Sequence, residues 1–202
     1  MKILGYSTAF EGYLEVDKEL DDDSFELLKG LARTRRIKRD PQILEQLGYG
    51  TAESLGIDGE LYVEPAGKTN DYCPSIINQN EPPGRQPGIF LQWIPTEDRK
   101  RIIWDRGIKF YNADEWIMYL IDNILSPRGY IVNGIVNAQG EDEEDKWRIE
   151  VKENTVDIIE GFSELQPVPN FDKWLEDHYA KLQYAIISHC LSKYIKKRRI
   201  KK

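Results

Sequence analysis

Three short segments of alternating polarity, joined by tight turns, constrain the fold of this 202-residue chain most strongly. The segments cover residues 130–139, 147–151 and 155–159, and the turns lie at 140–145 (Gly-Glu-Asp-Glu-Glu-Asp) and at 153–154 (Glu-Asn). Consecutive strands with short turns pair antiparallel, because a parallel pair needs a long crossover connection. The sequence therefore predicts an antiparallel meander.

Two helical patterns and an earlier hairpin complete the predicted fold. Capping-box forms at Asp23 and Asn112 each precede apolar residues at helical spacing. The first helical pattern ends in the cations of residues 33–39. The second ends at the Ser-Pro-Arg-Gly segment of residues 126–129, which stops a helix. The remaining strand predictions are residues 2–20, as a strand or bent hairpin, and residues 89–94 and 101–104, joined by a turn. Residues 40–88 lack strong periodicity and are predicted to be a functional loop or a pair of strands. The predicted class is α+β, an antiparallel sheet packed with two helices.

The pattern changes after residue 166. Asn170 begins a run of apolar residues spaced three or four apart, which predicts a long amphipathic helix that ends in a basic tail. We therefore divide the chain into an α+β core domain at 1–165 and a C-terminal helix at 166–202. Such a helix either packs on the sheet or pairs with another subunit, and we expect a homo-oligomer.

Charge and composition exclude several classes of protein. The formal net charge is −7, yet seven of the 28 basic residues lie in the last ten, so the body is strongly acidic and repels bulk nucleic acid. No run of 18 apolar residues exists, so we expect no membrane span, and the N-terminal residues do not resemble a secretion signal. Cys73 and Cys190 offer neither a disulfide framework nor zinc spacing, which favours the cytoplasm.

Catalytic and cofactor patterns are weak. His178 and His189 are eleven residues apart on the predicted C-terminal helix, too far to share a proton or a metal ion. The acidic turn lacks the spacing of a calcium loop, and no phosphate-binding glycine motif occurs. We therefore predict no catalytic residue, no metal and no cofactor. The alternative is a hydrolase or transferase that uses Glu141, Asp142 or Asp145.

Residues 78–130 combine aromatic rings with amides and cations, a mixture that suits planar polar ligands and also suits a core with a polar rim. In the ligand interpretation, a ring stacks a base, cations contact phosphates, and amides hydrogen-bond base edges. The candidate ligand-binding residues are Arg33, Arg35, Arg36, Asn80, Gln86, Gln92, Trp93, Trp104, Lys109, Tyr111 and Gln139.

Several motifs resemble one family. They are RTRRIKRD at 33–40, NEPPGRQPGIFLQW at 80–93, PTED at 95–98, IIWDRGIKFY at 102–111, EWIMYLI at 115–121, GYIVNGIVNAQGED at 129–142 and VKENTV at 151–156. In this order they resemble a family of uncharacterised proteins of actinobacteria and their phages, over roughly residues 10–160. The chain departs from that pattern at Phe90-Leu91, where the family has Trp-Cys, and at Ala138, where it has Trp.

A weaker resemblance is to phage proteins that sequester the cyclic-nucleotide signals of host immunity. It implies a non-catalytic binder of a small nucleotide-type ligand, encoded by a phage to counter the defences of its host. A further alternative is a protein-binding module that uses the C-terminal helix.

Overall fold

The computed structural model describes residues 6–65, 73–107 and 109–161. Within them the predicted class is confirmed: the fold is α+β and centres on a six-stranded antiparallel sheet in the order β4-β5-β1-β6-β7-β8. A second sheet joins β2 and β3. The predicted C-terminal helix and the boundary at residue 165 lie outside the described residues. The strands are β1 (Ala9–Val16), β2 (Lys38–Arg39), β3 (Ile76–Asn78), β4 (Trp93–Pro95), β5 (Arg101–Trp104), β6 (Val132–Gln139), β7 (Lys146–Lys152) and β8 (Thr155–Glu160).

The predicted meander is confirmed as β6-β7-β8. Glu153 and Asn154 both have positive φ, 47° and 68°, as a two-residue hairpin turn of the primed type requires. The sequence did not predict that β1 lies in the middle of the sheet. It pairs with β6 along its whole length and with β5 through Leu14 and Glu15, and so joins the meander to the β4–β5 hairpin.

Glycines allow β1 and β6 to approach closely. Gly12 has φ 130°, and a Cβ there would lie 2.2 Å from the carbonyl oxygen of Ile135. Gly134 has φ 150°, and a Cβ there would lie 2.4 Å from the carbonyl oxygen of Tyr13. A side chain at either position would collide with backbone, so only glycine fits.

Two helices cover one face of the large sheet: α1 (Asp22–Arg33) and α4 (Ala113–Leu120), which continues as a π-helical turn at Ile121–Leu125 and a 3-10 turn at Ser126–Arg128. Their apolar residues form one core with the alternate residues of β1, β6 and β7 that point to the same face. Burial of this common face holds the helices on the sheet.

The predicted caps of both helices require correction, although α4 does begin directly after Asn112, as predicted. The cap of α1 is Asp21, whose Oδ1 accepts from the backbone N–H of Ser24 at 2.7 Å, and Asp23 lies inside the helix. At α4, Asn112 precedes the helix in the left-handed region and makes no side-chain cap. Its amide instead donates to the carbonyl of Pro87 at 2.7 Å, a contact between distant segments that local spacing does not reveal.

The predicted strand at 89–94 is also shorter in the structure, where β4 is Trp93–Pro95. The carbonyl of Ile89 accepts a hydrogen bond from the backbone N–H of Arg36. Residue 89 therefore bonds to the segment after α1, and the chain joins the large sheet only at Trp93. Residues 40–65 hold two short helices, α2 (Pro41–Gln46) and α3 (Ala52–Leu55), and a 3-10 turn at Ile57–Gly59. These elements pack around a small second core of Leu44, Leu55 and Tyr62. Each is too short to show a period in sequence.

Candidate functional site

Trp93 lies in the core. It is fully buried, its Nε1–H donates to the carbonyl of Ala113 at 2.8 Å, and its ring meets those of Phe10 and Phe110 edge-on at 5.4 Å and 5.5 Å. No face of this indole is open to solvent. Trp93 therefore has a structural role, because its ring has no free face on which a base could stack.

The structure brings Trp104 and Gln92 together. The indole Nε1–H of Trp104 donates to Oε1 of Gln92 at 2.9 Å, and the backbone N–H of Asp105 donates to the Gln92 carbonyl. Trp104 is half-buried against Phe10, and Gln92 is nearly buried. Both side chains are thus held in fixed orientations at the end of β5.

The loop that follows β5 has an unusual backbone. Arg106, Lys109 and Asn112 all have left-handed φ values, 64°, 58° and 55°. Such values are uncommon outside glycine, and each requires support from surrounding contacts. Here Asp105 accepts from the N–H of Gly107 at 2.7 Å, and the side chain of Asn112 bonds to Pro87. The loop is therefore anchored near both ends.

Two aromatic rings on these adjoining segments are open to solvent. Tyr111 is 58% exposed and Phe90 is 55% exposed, whereas most aromatic side chains of the described residues are at least half-buried. Arg106 and Lys109 on the same loop are exposed cations. We call Phe90, Arg106, Lys109 and Tyr111 the aromatic–cation loop. Phe90 was not among the predicted site residues.

Arg36 lies in a buried polar network, away from solvent. It is 1% exposed, and its guanidinium donates to Gln86 Oε1 at 3.0 Å and to the carbonyls of Tyr62 and Glu60 at 2.7 Å each. Gln86 also donates to the Glu60 carbonyl at 2.6 Å. Burial lowers the pKa of Arg36 to about 10. The network joins the segment that follows α1 to residues 60–62, just after α2 and α3, and to Gln86, so Arg36 and Gln86 serve the fold.

Tyr119 of α4 extends this network. Its hydroxyl donates to Glu60 Oε2 at 3.1 Å and accepts from Gln86 Nε2 at 3.2 Å. Burial raises the pKa of Tyr119 to about 12, so the hydroxyl keeps its proton at neutral pH. Hydrogen bonds thus hold the segment that contains α2 and α3 against α4, and they involve one carboxylate, one amide, one guanidinium and one phenol.

The other predicted cations and Asn80 are exposed. Arg33 ends α1, and Arg35 donates from Nη2 to the carbonyl of Gln79 at 3.1 Å, beside Asn80. The backbone N–H of Asn80 donates to Oδ1 of Asn78. Arg35 and Asn80 therefore lie on neighbouring segments.

Gln139 closes the acidic turn. Its Nε2 donates to the carbonyls of Gly140, Asp142 and Asp145, at 3.2, 2.9 and 3.4 Å. Two acids of this turn bind the start of the chain: Asp145 accepts from the Tyr6 hydroxyl at 2.6 Å, and Glu141 accepts from the N–H of Ser7 at 2.8 Å. Among the described residues, no three His, Cys, Asp or Glu side chains are grouped to hold a metal ion.

An open groove of about 590 Å³ lies elsewhere, at the end of β1. None of the predicted site residues lines it; its lining is Glu15, Val16, Asp17, Lys18, Glu19, Lys100 and Asn133. Three carboxylates and two lysines line it, Lys100 pairs with Glu19 at 3.3 Å, and Lys18 lies over the ring of Tyr130. The aromatic–cation loop has the better chemistry for a planar anion, because its exposed residues include both rings and cations.

Comparison of the chain with protein-family models, with curated proteins and with solved structures gives no match. In the part of the chain that the structure describes, no helix has the length and apolar character needed to cross a membrane.

Asp105, at the base of the aromatic–cation loop, gives a pH-dependent prediction. Although much of the residue is exposed, neighbouring atoms crowd its carboxyl, and this desolvation raises its pKa while the bond from Gly107 opposes the rise. A raised pKa in the folded state means that stability is greatest while the acid is protonated and falls as pH rises through the folded value.

We expect Asp105→Asn to be slightly more stable than the wild type at pH 7, since asparagine keeps the Oδ1 acceptor for Gly107 without the charge. The difference in Tm should shrink below the ordinary aspartate pKa of about 4. Thermal melts of both proteins at several pH values measure it, with Asp122→Asn, an exposed carboxylate in the π-helical turn, as the control. A Tm difference that grows towards acid pH would contradict the assignment.

Proposed function

We propose that the chain is a non-catalytic binder of a small, planar, anionic ligand of the nucleotide type, and that it acts by sequestration. The observation that supports this most is the aromatic–cation loop, whose rings, Tyr111 and Phe90, and whose cations, Arg106 and Lys109, are all exposed to solvent. A base stacks on an aromatic face, and a phosphate accepts charge-assisted hydrogen bonds from lysine or arginine.

The resemblance to phage proteins that bind cyclic-nucleotide immune signals directs the choice of ligand. A cyclic dinucleotide offers two bases, which could stack on the exposed rings of Tyr111 and Phe90, and phosphates, which could bind exposed cations such as Lys109. Stacking contributes about 1–3 kcal/mol per base, so two stacked bases and two phosphate contacts are compatible with a Kd of about 1 μM. In this proposal Trp93, Arg36 and Gln86 support the fold, and Tyr111, Lys109 and the newly assigned Phe90 contact the ligand.

Calorimetry of the full chain with a panel of cyclic di- and trinucleotides tests the proposal. We expect heat with at least one member, and a weaker affinity in high salt because the cations contact phosphates. Recovery of the nucleotide unchanged after the complex is denatured supports sequestration, whereas a consumed nucleotide supports the hydrolase alternative. The absence of heat with every member would overturn the proposal.

Tyr111→Ala is the most informative variant, because Tyr111 is the most exposed ring of the loop. We expect a loss of about 1–3 kcal/mol of binding free energy, or roughly a 5- to 150-fold rise in Kd. Tyr111→Phe keeps the ring and serves as the matched control, with an affinity close to that of the wild type. Equal affinities for Tyr111→Ala and the wild type would show that Tyr111 does not contact the ligand.

A further inference from the structure

The two outer strands of the large sheet differ in how they are protected. β4 is only three residues long and ends in Pro95, a residue that lacks a backbone N–H. Short edge strands and prolines are devices that prevent a sheet from pairing with another chain. One edge of this sheet is therefore blocked by its own sequence.

β8, the opposite edge, has no such protection. Its six residues, Thr-Val-Asp-Ile-Ile-Glu, pair with β7 in regular register, without a bulge, a proline or a lysine. Within residues 6–65, 73–107 and 109–161, no strand pairs with its outer side. Ile158 is 39% exposed although it points to the same face as the buried Ile149. Among the described residues, the strand thus offers both backbone groups and apolar surface at an edge that no other strand covers.

The register with β7 shows which backbone groups point outward. Lys152 and Thr155 flank the two-residue turn, and such a turn closes on a hydrogen-bonded pair. Hydrogen-bonded residues alternate along a strand, so Thr155, Asp157 and Ile159 bond to β7. The N–H and C=O groups that point away from β7 belong to Val156, Ile158 and Glu160.

We propose that β8 pairs antiparallel with β8 of a second copy of this chain, about a twofold axis that passes through the Ile158 pair. Residues directly opposite one another in an antiparallel pair point to the same face of the sheet, whereas successive residues of one strand point to opposite faces. A twofold axis perpendicular to the sheet must therefore pass between one residue and its own copy. With Ile158 opposite its own copy, Val156 lies opposite Glu160 of the second copy. All the outward groups of these residues then find partners, in six backbone hydrogen bonds.

Charge and apolar surface favour this register over the one centred on Asp157. Centring on Asp157 would set two carboxylates directly opposite one another, an arrangement that destabilises an antiparallel pair. Centring on Ile158 instead sets Asp157 opposite Ile159 and brings the two exposed Ile158 side chains into contact. The paired sheets would form one continuous sheet of twelve strands, with the helices of both copies on the same face.

Ile158→Pro in the full chain tests the pairing. Proline removes the outward N–H of residue 158 and leaves every hydrogen bond to β7 in place, which an edge strand tolerates. By sedimentation equilibrium we expect the wild type to reach twice the mass of one chain as its concentration rises, and Ile158→Pro to remain at the mass of one chain. Ile158→Val keeps the N–H and the β-branched side chain, and should still dimerise.

A second variant guards against misfolding of the proline variant. Ile158→Lys keeps the backbone intact and places two like charges opposite one another at the axis, so it should also be monomeric, with an unchanged circular dichroism spectrum. A wild type that stays monomeric at every concentration overturns the proposal. So does a dimer that persists in both variants, since another surface would then form it.

Hydrogen exchange gives an independent readout in the wild type. The amides of Val156, Ile158 and Glu160 should gain protection as the protein concentration rises. Those of Thr155, Asp157 and Ile159 should be protected at every concentration by their bonds to β7. Protection of the outward amides that does not depend on concentration would contradict pairing between two copies.

Discussion

Arg36→Ala is expected to lower the free energy of unfolding by about 3–5 kcal/mol, since each buried acceptor that loses its donor costs about 1–3 kcal/mol. The substitution deletes three hydrogen bonds and leaves Gln86 Oε1 and the carbonyls of Tyr62 and Glu60 without a donor from Arg36. Buried acceptors without a donor are costly, because the unfolded chain bonds them to water. Urea denaturation followed by circular dichroism measures the change.

Arg35→Ala is the matched control, since it removes the same side chain one residue earlier. Arg35 is exposed and makes one hydrogen bond, to the carbonyl of Gln79, so we expect a loss below about 1 kcal/mol. Similar losses in the two variants would contradict the structural role of the network. Substitutions at Gln86 and Arg36 should also be non-additive, because the two side chains contact one another.

Phe10→Ala is expected to cost about 3–5 kcal/mol, as is usual for the truncation of a buried phenylalanine. The ring of Phe10 lies at the centre of the aromatic core and meets four other rings edge-on, at centroid distances of 5.4–5.9 Å. It also contacts strands that are distant in sequence, since its partners are Trp93, Trp104, Phe110 and Trp147. Its removal would leave a cavity that rigid indole neighbours cannot fill.

Phe90→Ala provides the control for Phe10→Ala, because it deletes the same side chain from an exposed position. We expect Tm and the urea midpoint to change little, since surface substitutions usually fall within about 0.5 kcal/mol. In the proposed function Phe90→Ala should instead weaken ligand binding. A large loss of stability in Phe90→Ala, or a small one in Phe10→Ala, would show that the burial of these rings is misassigned.

The local elements were predictable from sequence because their signals are local. The alternation of residues 130–159 and the Glu153-Asn154 turn predicted β6, β7 and β8, and helical spacing predicted α1 and α4. The helix caps were less predictable, since a cap depends on which side chain reaches the free N–H groups. At α4 the amide of Asn112 contacts Pro87, 25 residues away in sequence.

The candidate site was less predictable than the fold. Sequence identified a region rich in rings, amides and cations, but it could not separate buried side chains from exposed ones. Trp93 is buried because β4 lies under α1 and α4, and Arg36 is buried because the segment with α2 and α3 packs over it. Phe90 and Tyr111, which lie on either side of Trp93 in sequence, are exposed.

The sequence by itself determined the antiparallel meander, because strand alternation and turn chemistry act over a few residues. Only the tertiary structure decided that β1 lies between β5 and β6, that the predicted ligand residues divide between a buried network and an open loop, and that β8 is an unprotected edge. The physical reason is common to all three. Pairing and burial depend on which distant segments pack together, and the free energy of that packing is a property of the whole fold.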